Sequence, residues 1–364
     1  MIAPVKSLLD CLAFGHNQGR NWDDLDWEAL IACASREQLL PLLRSRLEEI
    51  GVLPSVPADV ASFLSAVEEL SLERNQAIQA ELVTVVKILN QHGLEPVLLK
   101  GAAYLNTGVY ATPAHRYLLD VDLLVPESKI GIAVQALVEN GFDWDRDCPL
   151  GQFRHHHPAL RRPGQVWFEL HHSLGLGKCK SLLPASEVIE QSVPHEIEGA
   201  RIRIPAANHL MTHLIMHSQI QHPCHERIWP PLRAMYDLVR MRARFDPEID
   251  WPGVARRFER VGRSSVLELH LLQVRDALKL EPPFPIRMTG LTYLAWVRRK
   301  ALRAAPALRF LDPLYMGSAV LSRRLLLAQT VLRTPGAWRV LLQEMLAPRF
   351  YRRVFADVIE GRGR

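Results

Sequence analysis

Residues 117–125 read YLLDVDLLV and are followed by Pro126, so two aspartates lie inside an otherwise apolar segment. The apolar and β-branched residues predict a strand, and the proline predicts its end. Because residues two apart on a strand point to the same face, the side chains of Asp120 and Asp122 project together. Two carboxylates on one face of an apolar strand repel each other and are costly to desolvate. A divalent cation is the usual remedy for such a pair.

A third carboxylate, Glu169, lies on a later predicted strand that reads QVWFELH at residues 165–171. If the two strands are neighbours, Asp120, Asp122 and Glu169 converge on a set of hard oxygen ligands suited to Mg²⁺ or Mn²⁺. Two such ions about 3.5–4 Å apart would orient an attacking hydroxyl and neutralise charge on a displaced phosphate. His171 faces the same side as Glu169, which makes it either a phosphate contact, a partner of a metal-bound water or a packing residue.

The segment LLKGAA at residues 98–103 predicts a strand that passes through a turn into the start of a helix. A helix start offers unpaired N–H groups and partial positive charge, which suit a triphosphate. Gly101 lets the backbone approach a ligand closely, and Lys100 would add a point charge. Arg116, just before the acidic strand, would bind a phosphate through two parallel hydrogen bonds. A lysine-glycine pair alone is mostly a turn, and only its combination with the acids favours a phosphate site.

The order of predicted elements around these segments indicates an α+β fold. Apolar residues recur at helical spacing through residues 1–92, and Gly93 supplies a stop signal. Strands then alternate with helices, and IEGARIRIP at 197–205 is typical of part of a hairpin. We therefore predict a small mixed β-sheet core with helical N-terminal and C-terminal regions. Its parts are an N-terminal helical region at 1–80, the α/β core at 81–205, a helical bundle closing the site at 206–290 and basic C-terminal helices at 291–364.

Composition and the absence of certain motifs exclude several other classes of protein. The chain has 364 residues, of which 48% are hydrophobic, and its net charge of +5 is compatible with phosphate-bearing ligands without being specific for them. Its five cysteines include no CxxC pair, which argues against a disulfide framework or a cysteine zinc site and predicts a cytoplasmic protein. No apolar run reaches the ~18–20 residues of a membrane span. The motifs of serine hydrolases, P-loop enzymes and dinucleotide-binding folds do not occur in the sequence.

Several histidines form clusters with more than one interpretation. The run 155–157 favours a polar loop or an edge strand over a metal site. His213 and His217 are four apart on a predicted helix and share one face, so they either close over a nucleotide or pack in the core. His222 and His225 belong to the loop that follows. The basic C-terminal helices favour a solvated face, with weak contact to nucleic acid or an anionic surface as the alternative.

The stretch from residue 97 to 142 resembles the nucleotidyltransferase-like family of the DNA polymerase beta superfamily. The closest subgroup is the bacterial uncharacterised nucleotidyltransferase family. Its pattern runs LLKG, an arginine, DxDLLV, a helix, a glycine-aromatic pair and an acid-x-His strand. The matching pieces here are Leu98 to Gly101, Arg116, Asp120 to Val125, Gly141-Phe142 and Glu169 to His171, with His213, His217 and Asp237 in the helical continuation.

The resemblance implies transfer of a nucleoside monophosphate from a nucleoside triphosphate, with ATP as the expected nucleotide, to an acceptor hydroxyl, with release of pyrophosphate. Asp120, Asp122 and Glu169 would be the catalytic metal ligands. Many superfamily members have Gly-Gly or Gly-Ser where this chain has Lys100-Gly101. This difference keeps open a weak or inactive module that binds a nucleotide or a partner. A second alternative is a toxin-like transferase of the same fold that modifies tRNA or protein, which the three acids equally allow. The acceptor is not predicted.

Overall fold

A computed structural model describes residues 3–13, 22, 24–144, 155–221 and 231–304 of the chain. The first part is helical because apolar side chains recur every three or four residues and bury one face of each helix. In the longest helix, this buried face includes Ile78, Leu82 and Val86. Gly93, in the left-handed region at φ 69°, follows the end of that helix, as predicted. The helices are α1 (Ala3–Leu12), α2 (Trp27–Arg36), α3 (Leu40–Glu49) and α4 (Ala58–Gln91).

A seven-stranded mixed sheet follows, with the strand order β3-β4-β5-β2-β1-β7-β6. Strand β2 lies in its centre, antiparallel to β1 and parallel to β5. The central strands carry apolar residues that are fully buried, so they form the core of the sheet. The strands are β1 (Val97–Leu98), β2 (Asp120–Leu124), β3 (Asp143–Trp144), β4 (Leu160–Arg161), β5 (Trp167–His171), β6 (Val193–Ile197) and β7 (Ala200–Ile204).

Helices connect the strands and cover the sheet. One group lies within the strand-bearing part, namely α5 (Lys100–Leu105), α6 (Ile130–Glu139), α7 (Lys178–Leu182) and α8 (Ala185–Glu190). A second group follows β7. It consists of α9 (Ala207–Met216), α10 (Leu232–Phe245), α11 (Trp251–Arg260), α12 (Ser264–Leu278) and α13 (Gly290–Ala304).

The predicted fold class is confirmed, since a mixed sheet lies between helical regions at both ends. The acidic strand begins at Asp120 and not at residue 117, because the preceding residues leave the sheet. The division into four parts stays a prediction, and α4 runs without a break across its boundary at residues 80 and 81. Most of the basic C-terminal segment lies outside the described residues, as do His222 and His225.

Two further observations bear on the class of protein. Among the described helices, none combines the length and apolar character needed to cross a bilayer. The cysteines that the structure describes, Cys11, Cys33 and Cys179, are buried and not joined in disulfides.

Candidate functional site

The parallel pairing of β2 with β5 brings the predicted acids together. Its register sets Asp122 beside Glu169, and Asp120 beside Trp167. Side chains at paired positions of neighbouring strands point to the same face of the sheet. Asp120, Asp122 and Glu169 therefore project from one face, as the two sequence segments predict if they are neighbours.

Asp122 is the buried centre of the site, with only 2% of its surface exposed. Its Oδ1 accepts hydrogen bonds from Lys100 Nζ at 2.6 Å and from His171 Nε2 at 2.7 Å. His171 Nε2 also lies 3.4 Å from Glu169 Oε2. A buried carboxylate needs such partners because desolvation strongly disfavours an isolated charge.

Electrostatics separate the three acids. Burial alone would raise the pKa of Asp122, but the Lys100 ammonium and the hydrogen bond from His171 hold it well below its ordinary value. Burial also acts on Glu169, whose pKa is nevertheless lowered, mainly by its hydrogen bond with His171. Asp120 differs, because burial and the charge of Asp122 raise its pKa to about 6. Asp120 is thus the acid whose charge the surrounding side chains compensate least.

Two of the acids, together with His171, offer ligands for a divalent cation. Among the described residues, Asp122, Glu169 and His171 offer ligand atoms that all lie within 4.8 Å of one another. The two carboxylate oxygens suit both Mg²⁺ and Mn²⁺, whereas the imidazole nitrogen favours Mn²⁺, because Mg²⁺ strongly prefers oxygen. His171 Nδ1 is buried without a hydrogen-bond partner in the described part of the chain. Asp120 is outside this close set and extends the acidic face by one pleat.

Lys100 and Gly101, in the turn after β1, have different structural roles. Lys100 has a φ of 48°, in the left-handed region that non-glycine residues rarely adopt, and its side chain turns back to Asp122. Gly101 is buried in α5, and a Cβ there would lie 2.3 Å from Leu118 Cδ2. The absence of a side chain at Gly101 therefore allows the close packing of α5 on the segment before β2.

Arg116, predicted to contact a phosphate, is held by a carboxylate of the chain itself. Its Nε and one terminal nitrogen donate to the two oxygens of Asp237 on α10 at 2.8 and 2.9 Å. The hydroxyl of Tyr110 donates to the same carboxylate. All three side chains are buried, so in this structure Arg116 ties the start of β2 to the second helical group.

The histidine run lies against the site. His156 forms an isolated antiparallel bridge with His171, and the His157 amide donates to the Leu170 carbonyl at 2.9 Å. This pairing agrees with the edge-strand interpretation. The rings of His155 and His171 are 5.3 Å apart between centroids. Burial lowers the pKa of His155 to about 2, so this imidazole stays neutral.

The second pair of histidines also borders the acids. His213 is buried on α9, and its ring centroid lies 6.0 Å from that of His217. Burial, and then the charges of Lys100 and His171, lower the pKa of His213 to about 3. The imidazole of His213 is thus neutral, and the charged groups that act on it include Lys100, His171 and Asp122.

Sequence reasoning missed Arg233, which lies one helical turn before Asp237 on α10. Within the described residues its side chain makes no hydrogen bond and no ion pair. Burial and the charge of Arg116 lower its pKa to about 10, while the negative charges of Asp237 and Asp120 act in the opposite direction. The i, i+4 spacing to Asp237 is the sequence signal that would have placed it on the same face.

Comparison with known proteins identifies the family of the chain. The model of a family described as "Uncharacterised nucleotidyltransferase" matches residues 23–279, a range that contains both acidic strands and α10. No curated protein matches the chain. One similar solved structure is that of an antigenic nucleotidyltransferase-like protein from Paracoccidioides brasiliensis, at 16% identity and a TM-score of 0.36. That match covers 57% of this chain and 94% of the other. Because the family model covers well over half of its length, the chain belongs to the uncharacterised nucleotidyltransferase family.

Proposed function

We propose that the protein transfers a nucleoside monophosphate from a nucleoside triphosphate, ATP in the first instance, to an acceptor hydroxyl with release of pyrophosphate. The observation that carries the proposal is the in-register pair Asp122 and Glu169 on adjacent parallel strands, joined by His171. Membership of the family supports the reaction class. The pairing supports a site for a divalent ion, Mg²⁺ or Mn²⁺, with Asp120, Asp122 and Glu169 as the acids.

When bound, a divalent ion would supply a Lewis acid that stabilises charge on the phosphate undergoing displacement. The side chains of the protein orient the ligand groups. His171 fixes Asp122 and Glu169 relative to each other through its shared Nε2–H, in the same way that hydrogen-bonded partners orient metal ligands elsewhere. Asp120, which is partly exposed and poorly compensated, would accept positive charge brought by the ligand.

Recognition of the triphosphate is assigned to Arg233 in this proposal. A guanidinium that is partly buried and lacks a partner within the described residues is suited to a phosphate, because it can donate two parallel hydrogen bonds. Arg116 was the candidate from the sequence, but its donors already serve Asp237 and the Tyr117 carbonyl. Lys100 and Gly101 stay proposed contacts of the nucleotide through the turn that they form.

The decisive experiment measures pyrophosphate released from ATP in the presence of Mg²⁺ or Mn²⁺. We expect release by the unchanged protein and a loss of at least about 100-fold in Asp122→Asn and in Glu169→Gln, since each neutralises one acid of the site. Glu196→Gln, an exposed glutamate on β6, is the matched control and should keep full activity. Pyrophosphate release that persists in both site variants would refute the assignment.

A second function has one observation in its favour, namely the ammonium of Lys100 bound to Asp122, the acid at the centre of the site. A module that binds a nucleotide without turnover would show ATP binding by calorimetry but no pyrophosphate. If turnover occurs, ATP labelled at the α-phosphate and incubated with a cell lysate distinguishes RNA, protein and small-metabolite acceptors by where the label is found. The toxin-like alternative predicts label on tRNA or protein. We propose that the reaction takes place in the cytoplasm.

A further inference from the structure

We propose that the Lys100 ammonium acts as a built-in cation of the acid site, so that this chain binds one divalent ion where a two-ion site would bind two. The inference rests on the proposed metal site and specifies its stoichiometry. It starts from a position that the sequence did not predict. Lys100 Nζ lies 2.6 Å from Asp122 Oδ1, within the acid face and not at a phosphate turn open to solvent.

The backbone indicates that this position is specific. Lys100 adopts a φ of 48°, which is unfavourable for any residue with a Cβ and free of that penalty only in glycine. The following residue is fixed by close packing, since a side chain at Gly101 would collide with Leu118. The packing around Gly101 therefore holds the strained turn in place, and in this turn the side chain of Lys100 points back to Asp122.

The charges account for the number of ions. Asp120, Asp122 and Glu169 carry three negative charges, and the ammonium of Lys100 compensates one of them. His171 counts as neutral once an ion is bound, whether it ligates through a free ring nitrogen or only orients the two acids. Without an ion, burial alone would lower its pKa, but its hydrogen bonds to Asp122 and Glu169 raise it. Two negative charges remain, which one divalent ion balances. Asp122 Oδ1 already accepts from Lys100 and His171. A second ion that shared this carboxylate would therefore lie close to the ammonium and be repelled by it.

The test counts bound Mn²⁺ in the full chain, by the electron paramagnetic resonance signal of the free ion during titration with MnCl₂. We expect one Mn²⁺ per chain in the unchanged protein and two in Lys100→Met, because methionine has a side chain of similar length without the charge. Lys100→Arg, which keeps the charge, should keep one ion. The matched control is Lys279→Met, because Lys279 also has a left-handed backbone (φ 60°) but lies far along the chain at the end of α12.

Two Mn²⁺ in the unchanged protein, or one with unaltered affinity in Lys100→Met, would overturn the inference. If Lys100→Met fails to fold, a count of two in the unchanged protein still overturns the inference, and a count of one in both the unchanged protein and Lys100→Arg supports it. Failure here is distinguishable from failure of the proposed function. A chain that binds two ions and releases pyrophosphate refutes the built-in cation alone, whereas a chain that binds no ion and releases no pyrophosphate refutes both.

Discussion

Replacement of Arg116 by methionine should destabilise the fold and leave the chemistry of the nucleotide largely untouched. Arg116 and Asp237 form two charged hydrogen bonds at 2.8 and 2.9 Å, and both side chains are buried, at 7% and 2% exposure. Methionine fills much of the same volume but leaves the Asp237 carboxylate with only the Tyr110 hydroxyl as a donor. Breaking one side of a buried ion pair costs about 3–5 kcal/mol.

The magnitude can be checked by urea unfolding followed by tryptophan fluorescence. Arg256→Met is the control, because Arg256 pairs with Asp250 at 3.4 Å on the surface, where both side chains are more than half exposed. That change should cost less than about 1 kcal/mol. The double variant Arg116→Met, Asp237→Leu removes both buried charges and should recover about half of the loss. The hydroxyl of Tyr110 then lacks its acceptor, which leaves a deficit of about 1–3 kcal/mol.

A different result would refute this reasoning. If Arg116→Met unfolds at the same urea concentration as the unchanged protein and fails to bind ATP, then Arg116 contacts the phosphates in solution. The ion pair with Asp237 would then exchange for the ligand. The double variant adds a second check, since it should bind ATP with unchanged affinity if Arg116 has a structural role.

Two further predictions concern groups without a hydrogen-bond partner in the described part of the chain. Arg233→Met should weaken ATP binding about tenfold in a calorimetric titration, the equivalent of one charged hydrogen bond, without lowering the urea midpoint; equal affinity would exclude Arg233 from the phosphates. His270 is fully buried on α12, neither of its ring nitrogens has a partner, and burial lowers its pKa to about 3. Because the unfolded chain takes up a proton below about pH 6.5 that the folded chain refuses, this imidazole costs stability as the pH falls from 6.5 toward 3. His270→Leu should therefore stabilise the protein more at pH 5 than at pH 7, by about 2 kcal/mol in the difference, and equal gains at both values would show that the imidazole is not buried neutral.

The parts of the site that the sequence predicts are those set by local geometry. Asp120 and Asp122 share a face because alternation along a strand is a property of the backbone, whatever lies beside it. Gly93 ends α4 because its left-handed conformation interrupts the helix. Glu169 approaches Asp120 and Asp122 only if β5 lies beside β2, and the sequence allows this arrangement without requiring it. The observed order, with β5 beside β2, supplies it.

The roles of Lys100 and Arg116 could not be predicted from local geometry, because their partners are distant in the sequence. Lys100 and Asp122 are 22 residues apart, and Arg116 and Asp237 are 121 apart. A guanidinium presents the same forked donors to a carboxylate as to a phosphate. An arginine beside an acidic strand therefore predicts an anion, without indicating whether the anion is a ligand or an aspartate of another helix. The helical pattern of MYDLVRM does not by itself show that Asp237 faces inward. That becomes clear only when its neighbours are known to be buried.

The arrangement of paired and unpaired charges indicates what kind of ligand the site requires. Asp122 accepts from Lys100, and Asp237 from Arg116, so each of these buried aspartates has a cationic partner within the chain. Asp120 and Arg233 are different, since neither side chain makes a hydrogen bond within the described residues and each has its pKa displaced toward the neutral form. They interact electrostatically but are not paired. A ligand that stabilises both must carry positive charge for Asp120 and negative charge for Arg233. A complex of a divalent ion with a triphosphate has both, whereas a free metal ion or a free anion would leave one of the two uncompensated.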